Sequence, residues 1–255
     1  MAPLPKRFIT KINSIPSDAT DAEWLSTLTE LVMSREPKPR TQINRYSIIK
    51  QYIKEKHNKS FPTFKPPSKL VDEVLKKDLE TRTNKESFSV DKKIIDALES
   101  IKGKDNYVDQ IIDLMVSSGR RINEIVDSDI TYKKVPKQPD MIRASHLSKQ
   151  RGNQKSALIK LRGMSPAEFK KKLKHVRDAT SEDSLTSVNA MVNRRLKKLD
   201  KRLNSSHKLR GIYALLLWHD SGREQNLNGF IQGALNQSSA DSSLNYSNYI
   251  LDVEN

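Results

Sequence analysis

Ser118-Gly119-Arg120-Arg121-Ile122-Asn123-Glu124-Ile125 is the stretch on which the fold turns. It closes an apolar run of Val108, Ile111, Ile112, Leu114, Met115 and Val116, too dense for a single helical face. That run predicts a helix over 106–118 buried on more than one side. By itself Arg121 reads equally well as a surface arginine. Two later stretches change the weighing. His207-Lys208-Leu209-Arg210 opens a helix running through Leu217, and Leu235-Asn236-Gln237-Ser238-Ser239 is followed, nine residues after Gln237, by Tyr246. A lone histidine or tyrosine most often packs. The order and spacing of the set carry the specificity.

Residues 118–125 resemble the Thr-Gly-x-Arg-x-x-Glu-Leu element of the tyrosine recombinases. His207-Lys208-Leu209-Arg210 resembles their His-x-Leu-Arg box, and 235–239 with Tyr246 resembles their Leu-Gly-His box and nucleophilic tyrosine. The resemblance covers residues 89–250, with Arg121 and Tyr246 standing 125 positions apart. It implies a mainly α fold with a small antiparallel β-sheet (α+β), in which a helical core-binding domain and a catalytic domain close on DNA as a C-shaped clamp. It implies a catalytic set of Arg121, Lys149, His207, Arg210, Gln237 and Tyr246, with Glu124 orienting Arg121. Double-stranded DNA is the implied partner, bound by a homotetramer that is a monomer or weak dimer when free. No cofactor or metal is implied.

The chemistry explains these residue types. Attack on a phosphodiester builds charge on its non-bridging oxygens, and two guanidiniums hold such oxygens through paired hydrogen bonds at any working pH. A phenol attacks once its proton is removed, and the 3′-phosphotyrosine conserves bond energy for religation. In the family a lysine on a β-hairpin protonates the leaving 5′-oxygen. Here Lys149 ends the first strand of the stretch 147–155 and matches best, with Lys155 second. Gln237 departs from the usual histidine or tryptophan. Its amide still donates a hydrogen bond but shuttles no proton. His219 lies in an apparent insertion around 221–226 and reads as a surface histidine; Tyr213 reads as core and Tyr249 as packing on the tyrosine helix.

Composition agrees. The 255 residues hold 46 Lys+Arg against 31 Asp+Glu, a net charge of +15, and no cysteine. A disulfide framework and thiolate chemistry are thereby excluded. No apolar run approaches the ~18 residues of a membrane helix, so an intracellular, DNA-associated protein without membrane contact is expected. Residues 160–210 hold fifteen Lys/Arg and five Asp/Glu, +10 of the +15. That excess suits a surface tracking phosphates, although a solvated helical face has the same composition.

Outward along the chain, 1–16 carries three prolines and little periodicity and reads as a flexible arm. Helical spacing predicts a DNA-binding domain over 17–80, a polar linker over 81–88 and the catalytic domain over 89–255. Short β-like runs stand at 141–147 and 157–161, and residues 229–249 read as helical with a polar break.

The leading expectation is a site-specific recombinase or integrase of a virus or mobile element. A telomere resolvase or type IB topoisomerase would share the chemistry; resolvases rank second because they tend to carry added domains. A catalytically idle DNA-binding derivative has Gln237 as its support. An RNA-binding module is disfavoured, because the basic stretch lacks an aromatic stacking platform.

Overall fold

The computed structural model describes residues 4–35, 38–83, 86–147, 156–223, 225–236, 246 and 248–252. The chain divides into two compact units, Met1–Lys85 and Glu86–Asn255.

The first unit is helical: α1 (Lys6–Asn13), α2 (Asp21–Arg35), α3 (Pro39–His57) and α4 (Ser68–Thr83). Its core gathers Trp24, Leu28 and Val32 from α2 with Tyr46, Ile49 and Ile53 from α3, closed by Phe61 and Phe64. The expected flexible arm is corrected. Residues 6–13 form a helix whose Phe8 and Ile12, four positions apart, are fully buried in this core. Eight residues are too few to show a strong period, while two large apolar side chains on one face suffice to dock a helix. The expected linker at 81–88 is also shorter in the structure, since α4 continues to Thr83 and strand pairing resumes at Phe88.

The second unit begins with β1 (Phe88–Asp91), α5 (Lys92–Glu99), α6 (Tyr107–Ser118) and α7 (Ile122–Val126). There follow β2 (Thr131–Val135), β3 (Gln138–Ser145), β4 (Ser156–Lys160), α8 (Pro166–Ala179) and α9 (Leu185–Leu199), then α10 (His207–Asp220), α11 (Leu227–Ala234) and β5 (Tyr249–Asp252). Helix α6 is the axis of the core: every residue from Val108 to Ser118 is buried, and α8, α9 and α10 pack around it. Asn106 caps it, accepting from the N–H groups of Val108 and Asp109. Gly119 ends it at φ +65°, where a Cβ would lie 2.3 Å from the Tyr213 ring.

Strands β2, β3 and β4 form an antiparallel sheet in that order, as the mainly α, small-sheet expectation has it. A second sheet pairs β1 with β5 in parallel, Phe88 opposite Tyr249. Tyr249 therefore lies in a strand rather than on a tyrosine helix. Parallel pairing joins segments from the two ends of the unit, and no local pattern announces it. The turn expected at 151–154 falls outside the described residues. Among the described residues no helix is long and apolar enough to cross a membrane.

Much of the 160–210 charge is spent inside the unit. Lys172 pairs with Asp113 at 2.5 Å, and Arg195 holds Asp109 through two hydrogen bonds at 2.6 and 3.1 Å, both carboxylates being buried on α6. Arg177 donates to the carbonyls of Ile125 and Ile130. Arg202 bridges Asp91 and Asp200. On and after α8 and α9, the residues turned to solvent are Lys170, Lys171, Lys174, Arg194, Lys197, Lys198 and Lys201.

Candidate active site

Arg121 stands at the N-cap of α7, two residues after the αL residue Gly119. Glu124, one turn on, holds it twice: Oε2 accepts from the Arg121 backbone N–H at 3.1 Å and Oε1 from Nη1 at 2.9 Å. Glu124 is buried, and its backbone carbonyl accepts from the Tyr132 hydroxyl on β2 at 2.9 Å, so the sheet supports the turn that presents Arg121. Burial alone would raise the Glu124 carboxyl. The charges of Arg120 and Arg210, with the Arg121 N–H and guanidinium, outweigh it and hold the group below its ordinary value.

Arg210 lies in the first turn of α10, whose residues Leu209–Leu217 are all buried. Its Nη1 donates to the Gly119 carbonyl at 2.5 Å and Nη2 to the Leu235 carbonyl at 3.3 Å, while Nε has no partner. The two carbonyls fix the guanidinium plane and leave one edge uncommitted. Burial, reinforced by the charges of Arg120 and Arg121, pulls its pKa down to about 10. Arg210 therefore remains a cation at neutral pH.

Arg121, His207 and Arg210 line one cavity of about 350 Å³. Its other walls include Leu185, Thr186 and Asn189 of α9, together with Ser206. Ser206 is anchored to α9, its Oγ donating to Asn189 Oδ1 at 2.8 Å and its N–H to Asn193 Oδ1 at 2.7 Å. The N-terminal ends of α9 and α10 thus face the same space, and with two guanidiniums they favour an anion.

Tyr246 reaches this site from the far end of the chain. Its hydroxyl is 3.0 Å from His207 Nε2, the rings stack with centroids 5.5 Å apart, and the side chain is buried. Tyr249 meets Tyr246 edge-on at 5.6 Å and Phe88 at 4.9 Å. Both tyrosines rest on Gly211, where a Cβ would lie 2.5 Å from Tyr249 and 2.7 Å from Tyr246. The fold that carries this site is also found in solved structures. Protelomerase tela, covalently complexed with substrate DNA, superposes with a TM-score of 0.76 at 15% identity, covering 98% of this chain and 90% of that one. This chain has the tyrosine recombinase fold.

A variant of the same protelomerase, complexed with a DNA hairpin product, superposes at 0.77 with 14% identity over the same shares. Protelomerase TelK, complexed with substrate DNA, gives 0.62 at 14% identity over 96% of this chain and 56% of that one. No protein-family model and no curated relative matches the sequence. On the tyrosine recombinase fold, four of the six residues expected from the sequence are brought together here: Arg121, His207, Arg210 and Tyr246. Lys149, its alternative Lys155 and Gln237 lie outside the described residues. Tyr213 is core, its hydroxyl donating to the Lys160 carbonyl at 2.7 Å. Sequence reasoning missed Gly211, Ser206 and the α9 wall. Gly211, next to Arg210 in a helix, was the available signal, because glycine is disfavoured there without a packing reason.

Proposed function

We propose that this protein breaks and rejoins duplex DNA through a covalent phosphotyrosine formed by Tyr246. The observation that carries the reading is the Tyr246 hydroxyl at 3.0 Å from His207 Nε2, beside a cavity lined by Arg121 and Arg210. The two guanidiniums hold the non-bridging oxygens of the scissile phosphate and stabilise the charge that develops there. His207 Nε2, when unprotonated, accepts the phenol proton as the tyrosyl oxygen bonds to phosphorus. The bond to the 5′-oxygen breaks, and that oxygen takes a proton from Lys149 or Lys155. The 3′-phosphate stays on Tyr246 until a 5′-hydroxyl attacks it and returns the proton and the tyrosine. Gln237 would donate an amide hydrogen bond to the phosphate.

Among outcomes of this chemistry, the fold likeness favours resolution of DNA ends into hairpins. This chain covers 90% of the protelomerase tela chain in that structure. Site-specific recombination, by a tetramer synapsing two sites, is the second reading. The exposed lysines and arginines of α8 and α9 would hold the duplex backbone in either case.

The test is a pool of nicked duplexes that trap the covalent complex, separated under denaturing conditions and sequenced. Wild type should form adducts, and Tyr246→Phe should form none while still shifting DNA on a native gel. Adduct persisting in Tyr246→Phe overturns the assignment, and wild type that binds without adduct is the idle derivative. Hairpin-ended product from inverted-repeat targets selects resolution, whereas joined products of two duplexes select recombination.

A further inference from the structure

Arg120 stands beside the site with no part in the chemistry above. It is 1% exposed. Its Nε donates to the Ser118 carbonyl at 3.4 Å, Nη1 lies 3.9 Å from Glu124 Oε2, and Nη2 has no hydrogen-bond partner. Arg210, as deeply buried, lies 4.0 Å from that same Oε2. The Arg121 guanidinium occupies Oε1, and its backbone N–H donates to Oε2. Among the described residues, no other carboxylate comes within ion-pair distance of any of the three guanidiniums. Three buried or half-buried cations thus share one anion. An excess of buried positive charge is costly unless something balances it. A phosphodiester supplies one negative charge, and the five-coordinate phosphorus formed on attack carries a second.

The distances suggest how Arg120 acts. A buried carboxylate drawn from one side only closes onto its partner. Glu124 Oε2, which accepts from the Arg121 N–H at 3.1 Å, is instead drawn about equally by the Arg120 and Arg210 guanidiniums, and neither makes a direct hydrogen bond to it. Nε of Arg210 is left without a partner. We propose that Arg120 is a positioning residue for the scissile phosphate, a third guanidinium that holds back Glu124 so that Arg210 keeps its free edge for a phosphate oxygen. Without Arg120, Glu124 moves onto Arg210 and neutralises the cation that the phosphate needs. This inference rests on reading the cavity as the phosphate site. It extends that reading to a position that Ser118-Gly119-Arg120-Arg121 leaves open to any residue.

The experiment measures two quantities: affinity of the free protein for inorganic phosphate, by calorimetry, and adduct formation on nicked duplex. The proteins are wild type, Arg120→Met, Arg120→Lys, Glu124→Gln and the Arg120→Met/Glu124→Gln double variant. Arg120→Met should weaken phosphate binding and slow adduct formation by roughly tenfold or more. Arg120→Lys, which keeps the charge, should recover both to within about threefold. Glu124→Gln should cost less in the Arg120→Met background than in wild type, because the carboxylate is what captures Arg210. A residue that only fills space shows neither the charge rescue nor the coupling. Wild-type behaviour in Arg120→Met, a lysine variant as poor as the methionine one, strictly additive costs, or a wild type that binds no phosphate each overturn the proposal. Arg120→Gln replaces the methionine variant if that one fails to fold by circular dichroism. A wild type that binds phosphate yet forms no adduct removes the proposed reaction alone, and the Arg120 comparison remains readable in phosphate affinity.

Discussion

Gly211 is where a single atom would decide whether the tyrosine segment can dock. Its missing Cβ leaves the space filled by Tyr249 and Tyr246, at 2.5 and 2.7 Å from where that atom would stand. A real Cβ would push both rings away from α10 and take the phenol out of reach of His207. Gly211→Ala should therefore reduce adduct formation by about 100-fold, as misplacement of a reacting group by ~1 Å does, with DNA affinity unchanged. Adduct formation at the wild-type rate would show that the rings relax elsewhere. Residues of this kind divide by legibility. Arg121 and Arg210 are readable because each sits in a short box whose residue types have a chemical reason. Glu124 is readable because it is one helical turn from its partner. The roles of Arg120 and Gly211 depend on side chains up to 90 and 38 positions away in sequence, brought against them only by folding.

At the scale of elements, the pairing of β1 with β5 ties the segment carrying Tyr246 to its own chain. Tyr246 stands three residues before β5, and β5 is paired along its length with β1 of the same chain. The pairing is reinforced at its start, where the Phe88 N–H donates to the Asn248 carbonyl at 2.8 Å and the Asn248 amide to the Glu86 carbonyl at 2.6 Å. Ser89 and Ile250 are register partners on the outer face, and the chain has no cysteine of its own. Facing strand residues of this kind fall within the Cα separations that disulfides span. A Ser89→Cys/Ile250→Cys double variant should oxidise within one chain and stay monomeric on a non-reducing gel. The oxidised form should make adduct within about twofold of the reduced form. Covalent dimers on DNA, or adduct lost on oxidation, would mean that the tyrosine segment is exchanged between protomers. Helices α6, α8, α9 and α10 are readable from period and caps. The strands β1 and β5, four residues each, are not, because a strand that short is defined by its partner.

At the scale of the whole molecule, the positive excess is partly structural. One part, Lys172, Arg177, Arg195, Arg202 and Arg210, ties helices and strands to buried carboxylates and carbonyls. Hydrogen bonds from Arg202 hold the carboxyls of Asp91 and Asp200 below their ordinary values, and the arginine cluster does so for Glu124 against the opposing effect of burial. A carboxyl depressed in the folded state stabilises it fully above the unfolded pKa and loses that contribution as pH falls through the folded one. Tm should thus be level from about pH 7 to about pH 5 and drop steeply below about pH 4. Arg202→Ala should lower Tm at neutral pH and shrink the drop on acidification, since Asp91 and Asp200 would then lose the largest cause of their depressed values. An unchanged acid slope in that variant would remove Arg202 from the account.

What the sequence determined by itself was the set of candidate site residues and the helical core. Guanidinium, imidazole and phenol were recognisable because their spacing is local to each box, and α6 because its apolar density is local to one helix. Only the tertiary structure decided where those groups meet. It also decided that residues 6–13 are a docked helix, that β5 closes on β1, and that part of the basic stretch faces inward. Each depends on a partner distant along the chain, and the free energy of burying or pairing two such segments is written in neither one alone.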